Sequence, residues 1–170
     1  MKNPLSINAV ELLRRSGSIK QIRIEIDPES IGLDSPVLAP GTPISVELDA
    51  ESLTDGVVVT GRVRAGFRGE CRRCLGPVEG FVDVDVQELY QVQVTDPDAF
   101  PIVGDQIDLV PVVRENVLLE LPDAPVCRPD CAGLCPICGV DRNLLACTCT
   151  VETRDPRWAA LEGLRDQLPE

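Results

Sequence analysis

Histidine is absent from this chain of 170 residues. The commonest general base is therefore missing, and histidine-dependent catalytic sets are excluded. Aromatic residues are scarce, with one tryptophan, one tyrosine and three phenylalanines. So few rings do not make a stacking platform for single-stranded RNA. Aliphatic Val, Leu and Ile must fill the core instead. No run approaches the ~18 apolar residues of a membrane span. The start MKNPLSINAVELLRRSG is broken by Glu11, Arg14 and Arg15 and lacks the apolar stretch of a signal peptide. Glycine-rich phosphate loops are missing too. These absences lead to the expectation of a cytoplasmic protein that is not an enzyme, with no membrane partner and no small-molecule substrate.

What the chain does have is cysteine. Six of its eight cysteines lie in the tail CRPDCAGLCPICGVDRNLLACTC, from Cys127 to Cys149, and two lie upstream as Cys71-Arg-Arg-Cys74. In a reducing compartment, clustered cysteines bind metal or do redox chemistry more often than they form disulfides. Four thiolates around Zn²⁺ make a closed tetrahedral structural site, and eight thiols make two with none left over.

CPICG, from Cys135 to Gly139, reads as a zinc knuckle: two cysteines three apart on a tight turn, with a glycine that lets the backbone fold round the sulfurs. A knuckle supplies half a site, and Cys147 and Cys149 can supply the other half. Cys71 and Cys74 sit between strand patterns and are followed at once by Gly76 and Pro77. That context differs from the helix start of a thioredoxin-type pair. Cys127 and Cys131 remain to complete their site. The expectation is two Zn²⁺ per chain, one held by Cys71, Cys74, Cys127 and Cys131 and one by Cys135, Cys138, Cys147 and Cys149. Spacing alone leaves a swapped pairing, or one ion with spare thiols, open.

Periodicity predicts an α+β fold: an antiparallel β-sheet with N-terminal, middle and C-terminal helices and a cysteine-rich zinc module. Asn8, Glu11 and Gly17 frame a short first helix. Ile22, Ile24 and Ile26 alternate with charged residues, as do Ile44, Val46 and Leu48. Residues 57–70 form the longest strand candidate. Val82, Val84 and Val86 mark a fourth strand that can run to Val94. TDPDAFPIVGDQ reads as a loop. Pro111 suits a first helical turn, and Val113, Val117 and Leu121 recur at helical spacing up to Pro122. Asp155 and Pro156 open a last helix with the stripe Trp158, Leu161, Leu164 and Leu168. This gives a mainly β domain over 1–121, a zinc module over 122–150, and a helix over 151–170 packing on the body.

The formal net charge is −12, and residues 1–75 balance ten basic against ten acidic side chains. All the excess negative charge lies in residues 76–170, so global attraction to nucleic acid is not expected. One dense basic segment exists. Arg62, Arg64 and Arg68 share a strand face, and Arg72 and Arg73 adjoin it. Arginine forks suit RNA phosphates. The structural alternative is pairing with Asp83 and Asp85 on a neighbouring strand.

GECRRCLGPVEG, then ENVLLELPDAPVC, then CAGLCPICGVDRN followed by CTC, then DPRWAALEGL, resemble the YceD family of large ribosomal RNA subunit accumulation proteins. The resemblance runs in order from the first strand to the last helix. It carries over Cys71, Cys74 and the tail cysteines. It implies a non-enzymatic factor in ribosome biogenesis whose partner is ribosomal RNA or a large-subunit ribosomal protein. Two other functional readings stand beside it. One is a zinc-thiolate protein that responds to redox state. The other is an acidic adaptor for a basic ribosomal protein, using Asp83, Asp85, Asp96, Asp98, Asp105 and Asp108.

Overall fold

The computed structural model describes residues 3–150, so the expected C-terminal helix lies outside the described residues. A strand β1 (Ser6–Asn8) leads into a short helix α1 (Val10–Arg14). The Asn8 side chain accepts a hydrogen bond from the Val10 amide at 2.9 Å, which satisfies one free donor of the first turn. Strand β2 (Ile19–Ile26) follows, then a single 3-10 turn (Pro28–Ile31) and a loop to β3 (Ile44–Ser52). Two long strands, β4 (Val57–Glu70) and β5 (Pro77–Gln91), form a hairpin. Short β6 (Phe100–Pro101) and β7 (Gln106–Asp108) precede helix α2 (Val110–Glu120).

The main sheet has the order β2-β3-β4-β5-β6. β2 to β5 pair antiparallel in a meander, in registers that include Ile24↔Val46, Val46↔Val63 and Val63↔Val84. These four aliphatic residues line one row across the inner face. Val46 and Val63 are fully buried. In β3 every second residue, from Ile44 to Ser52, is buried, as period-2 patterning requires. The inner face is closed by α1, which packs on β3, and by α2, which packs on β4 and β5. Leu12 of α1 and Val112, Val113 and Val117 of α2 join this core. Burial of each such side chain contributes about 1.5–3 kcal/mol.

Three sequence expectations are corrected. The sheet is not wholly antiparallel, because β6 joins β5 in parallel through Tyr90↔Phe100. TDPDAFPIVGDQ is not only loop, since it holds β6 and the start of β7. β7 pairs with β1 in a separate two-stranded sheet. Runs of two or three residues are too short to show a period. They are stabilised by tertiary contacts: the Tyr90 ring stacks on Phe100 at 5.4 Å and its hydroxyl donates to the Asp108 carbonyl at 3.0 Å. Burial, then the Asp108 and Glu88 charges, push that phenol above its usual range, so it stays a neutral donor. Finally, β5 stops at Gln91 rather than Val94, and both Val92 and Val94 are exposed.

Gly61 interrupts the apolar parity of β4 and has a φ of 144°. A Cβ there would lie 2.2 Å from the Glu47 carbonyl oxygen of β3, so the two strands approach only because the side chain is absent. Gly17 also has a positive φ of 79°, but nothing lies within 4 Å of its Cβ position. Gly17→Ala should therefore cost only the left-handed strain, about 1 kcal/mol. Gly61→Ala must also push backbone apart and should cost roughly 2–3 kcal/mol or more. Urea unfolding of both variants checks this; equal losses would show that the β3–β4 approach is not constrained by Gly61.

Candidate metal centres

The β4–β5 pairing runs to Glu70↔Pro77, which leaves residues 71–76 as a tight connection at the sheet's end. Within it the Cys71 amide donates to the Gly76 carbonyl at 2.7 Å, and the Leu75 amide donates to the Cys71 carbonyl at 2.8 Å. The Arg73 amide points at the Cys71 sulfur, 3.4 Å away. After α2, Pro122 ends the helix and the chain returns across this tip. The Arg72 amide donates to the Pro125 carbonyl at 2.9 Å, which brings the following residues alongside. Cys74 Sγ then lies 3.7 Å from Cys127 Sγ, and Cys71 Sγ lies 3.9 Å from Cys131 Sγ.

The tail repeats the same turn. The Cys135 amide donates to the Val140 carbonyl and the Gly139 amide to the Cys135 carbonyl, both at 2.8 Å. Each turn needs a left-handed residue after its second cysteine. Gly139 supplies it with a φ of 73°, and Leu75 supplies it with a φ of 58°. Glycine at 139 made one knuckle visible in the sequence, while leucine at 75 hid the equivalence of the other. Cys147 and Cys149 return to this second turn.

The eight sulfurs gather into two groups of four: Cys71, Cys74, Cys127 and Cys131, and Cys135, Cys138, Cys147 and Cys149. Within each group all ligand atoms lie within 4.8 Å of one another. Four sulfurs at ~2.3 Å from a central ion sit about 3.8 Å apart at the corners of a tetrahedron. The 3.7 and 3.9 Å separations fit that figure. They are far longer than the ~2.05 Å of a disulfide bond, and all eight cysteines are free. Each tetrad can hold a metal ion.

The electrostatics fit a cation as well. The backbone N–H of Cys127, with those of Cys74 and Arg73, holds the Cys71 thiol down to about 6 against the opposing effect of burial. The backbone N–H groups of Cys138 and Ile137 hold Cys135 down to about 6. Hydrogen bonding with Cys131 pushes Cys127 up to about 12, and hydrogen bonding with Cys138 does the same for Cys149. Backbone N–H donors thus favour the thiolate form of Cys71 and Cys135, the form that ligates a metal. Neither C-x-x-C pair begins a helix, so the dipole that activates thioredoxin-type thiols is lacking.

The first tetrad joins two distant parts of the chain, and the residue that ties them most is Arg73, which the sequence suggested only as an RNA contact; Gly133 and Asn143 were not singled out. The Arg73 carbonyl accepts the Leu134 amide at 2.8 Å. The Arg73 guanidinium donates to the carbonyls of Pro129 and Cys131, at 3.0 and 3.1 Å. Gly133 lets this happen: with a φ of 70°, a Cβ there would meet the Arg73 carbonyl oxygen at 2.8 Å. Asn143 reaches the Cys131 sulfur at 3.4 Å.

The basic segment is less free than its sequence suggests. Register sets Arg62 opposite Asp85 and Arg64 opposite Asp83. The Arg62–Asp85 ion pair measures 3.2 Å and Arg64–Asp83 3.5 Å. Arg64 also lies over the Phe81 ring, 4.4 Å from its centroid. A continuous row, Arg23, Glu47, Arg62, Asp85, alternates in sign across four strands. Arg68 and Arg72 are exposed and make no ion pair among the described residues. These surface pairs contribute about 0–1 kcal/mol each, but they cancel the local field.

The family described as "Large ribosomal RNA subunit accumulation protein YceD" matches residues 59–165. An uncharacterized protein of Mycobacterium tuberculosis is 40% identical over 174 residues, covering 94% of this chain and 80% of its own. An uncharacterized protein of Mycobacterium leprae is 36% identical over 95% of this chain and 78% of its own. The chloroplastic homolog 1 of the large ribosomal RNA subunit accumulation protein from Arabidopsis thaliana is 33% identical over 69 residues, 41% of this chain and 22% of its own. No solved structure matches the chain. The family match begins in β4 and takes in the hairpin tip, α2 and both cysteine groups, and on that ground the chain belongs to the YceD family of large ribosomal RNA subunit accumulation proteins.

Proposed function

We propose that this chain is a zinc-stapled, non-enzymatic factor of the cytoplasm that supports accumulation of large-subunit ribosomal RNA by binding a ribosomal component. The observation that carries the zinc reading is the pair of four-sulfur groups, each within 4.8 Å, with separations of 3.7 and 3.9 Å in the first that fit a tetrahedron. Soft thiolates in a closed set of four suit Zn²⁺ over harder cations. The residues that would hold it are Cys71, Cys74, Cys127 and Cys131, and Cys135, Cys138, Cys147 and Cys149. The ion would supply folding energy rather than chemistry. In residues 122–150 the buried positions are Cys131, Gly133 and Cys135, so this segment has almost no apolar core. Ile137, Leu144 and Leu145 are exposed. Such a segment does not offset its ordering entropy, whereas structural zinc contributes on the order of 10 kcal/mol in small modules.

The partner reading rests on the family and on charge. If RNA is bound directly, Arg62, Arg64, Arg68, Arg72 and Arg73 are the candidate contacts. The ion pairs of Arg62 and Arg64 with Asp85 and Asp83 favour a second reading, in which the chain captures a basic large-subunit ribosomal protein. The net charge of −12 would steer such a partner.

Elemental analysis of protein purified without chelator should give two zinc ions per chain. A ratio near zero would remove the zinc reading, and a ratio near one would remove one site. Chelation followed by limited proteolysis should cut residues 122–150 first and leave the sheet intact. Simultaneous loss of both would show that the sheet depends on metal.

The partner is tested by binding large-subunit rRNA fragments across salt. Replacing Arg62, Arg64 and Arg68 by Gln should flatten the log–log salt slope by about 0.7–0.9 for each lost phosphate contact. An unchanged slope with RNA still bound would place the contact elsewhere. No RNA binding at low salt, with capture of a basic ribosomal protein, would decide for the adaptor.

A further inference from the structure

The two tetrads are not independent. Asn143 lies in the run between Cys138 and Cys147, so the second tetrad closes the loop that carries it. Its side chain, however, faces the first tetrad. The carboxamide nitrogen donates to Cys131 Sγ at 3.4 Å and to Asp141 Oδ1 at 2.6 Å. The carboxamide oxygen accepts from the Ala132 amide and from the Arg128 guanidinium, both at 2.8 Å. With two acceptors on the nitrogen side and two donors on the oxygen side, the amide has one satisfied orientation. Asp141 Oδ1 also accepts the Asn143 amide at 2.8 Å, which locks the turn. A second tie runs beside it, the Arg142 amide donating to the Gly133 carbonyl at 2.9 Å.

The tetrads also differ in cover. Each has one exposed sulfur, Cys127 in the first and Cys138 in the second, but the first buries two, Cys71 and Cys131, and the second only Cys135. Attack by a chelator or an oxidant therefore begins more readily at the second. Loss of its ion opens the 138–147 loop, withdraws Asn143 from Cys131, and leaves that sulfur with one hydrogen bond fewer. A thiolate ligand that loses such a partner holds its metal less well.

We infer that Asn143 is a positioning residue through which the second tetrad governs how firmly the first retains its metal. This rests on the metal reading of both tetrads. The two sites then empty in order, the less buried one first, and the tail detaches from the hairpin tip only after both have opened.

The test uses the full chain loaded with Co²⁺, whose thiolate charge-transfer bands report each site, with release driven by a chromogenic chelator. Cys74→Ser and Cys138→Ser assign the two release phases. Asn143→Ala should speed release from the first tetrad by about 10–100-fold while leaving the second within about threefold. It should also shift the first tetrad's charge-transfer band to lower energy, because a sulfur without its N–H donor gives up electron density more easily. Cys138→Ser alone should speed release from the first tetrad by about tenfold or more, and adding Asn143→Ala to it should change little further, since both act through one contact. Three results would overturn the inference: first-tetrad release unchanged in Asn143→Ala, both tetrads loosened equally, or a first tetrad indifferent to Cys138→Ser. A chain that takes up no Co²⁺ at all would overturn the metal reading itself, and the coupling with it.

Discussion

The long antiparallel pairing of β4 with β5 is the contact on which the other parts depend. It runs unbroken from Val57↔Tyr90 to Glu70↔Pro77. One face of this ribbon carries Val59, Val63, Ala65, Val82, Val84 and Val86 into the core beneath α2. The other face carries the arginine–aspartate pairs. Its closed end holds Cys71 and Cys74, and its open end holds Tyr90, which ties β6 and β7 to the body. Because side chains alternate along a strand, a slip of one residue would exchange core and surface and also misplace the cysteines. The register of a single hairpin therefore sets the core, the surface charge and half of one tetrad.

The chain combines two ways of making structure. The sheet and helices are stabilised by burial of aliphatic side chains, which is non-directional and tolerates a core nearly free of aromatics. The segment after α2 has no such reserve. What it buries are sulfurs, and what it repeats is one backbone turn used twice, at Cys71 and at Cys135. Its ties to the hairpin tip are polar: the Arg73 carbonyl and guanidinium and the Arg72 amide. Hydrogen bonds of this kind each contribute only about 1 kcal/mol net. They give direction to the docked segment, while ion binding at the tetrads would supply the bulk of the energy.

The outer sheet face bears on partner choice. Arginines that look like a ridge along β4 become members of alternating-sign rows once β3 and β5 flank them. Phosphate recognition needs uncompensated positive charge, and here Arg62 and Arg64 are compensated within the sheet. The exposed Arg73 is engaged by two carbonyls of the tail, those of Pro129 and Cys131. Family membership points to the large ribosomal subunit, and this surface gives an acidic chain only a narrow basic opening around Arg68 and Arg72.

Local patterning in the sequence was enough for β2 to β5 and for α2, because each has several residues at period 2 or helical spacing with one face to bury. Eight thiols pointed to two sets of four but left a swapped pairing, or one ion with spare thiols, open, and only their positions in space gather them into two groups. The pieces without a period needed the tertiary structure. β1, β6 and β7 exist only because a partner strand or a Tyr90 contact stabilises them. The second left-handed knuckle residue, Leu75, carries no composition signal. Whether the arginines faced solvent or aspartate depended on strand register. The contact of Asn143 with Cys131 depended on the loop between Cys138 and Cys147 folding back on the earlier part of the tail. Periodicity records what one element must bury, but pairing between elements is a property of distances in space, and no spacing along a single chain encodes it.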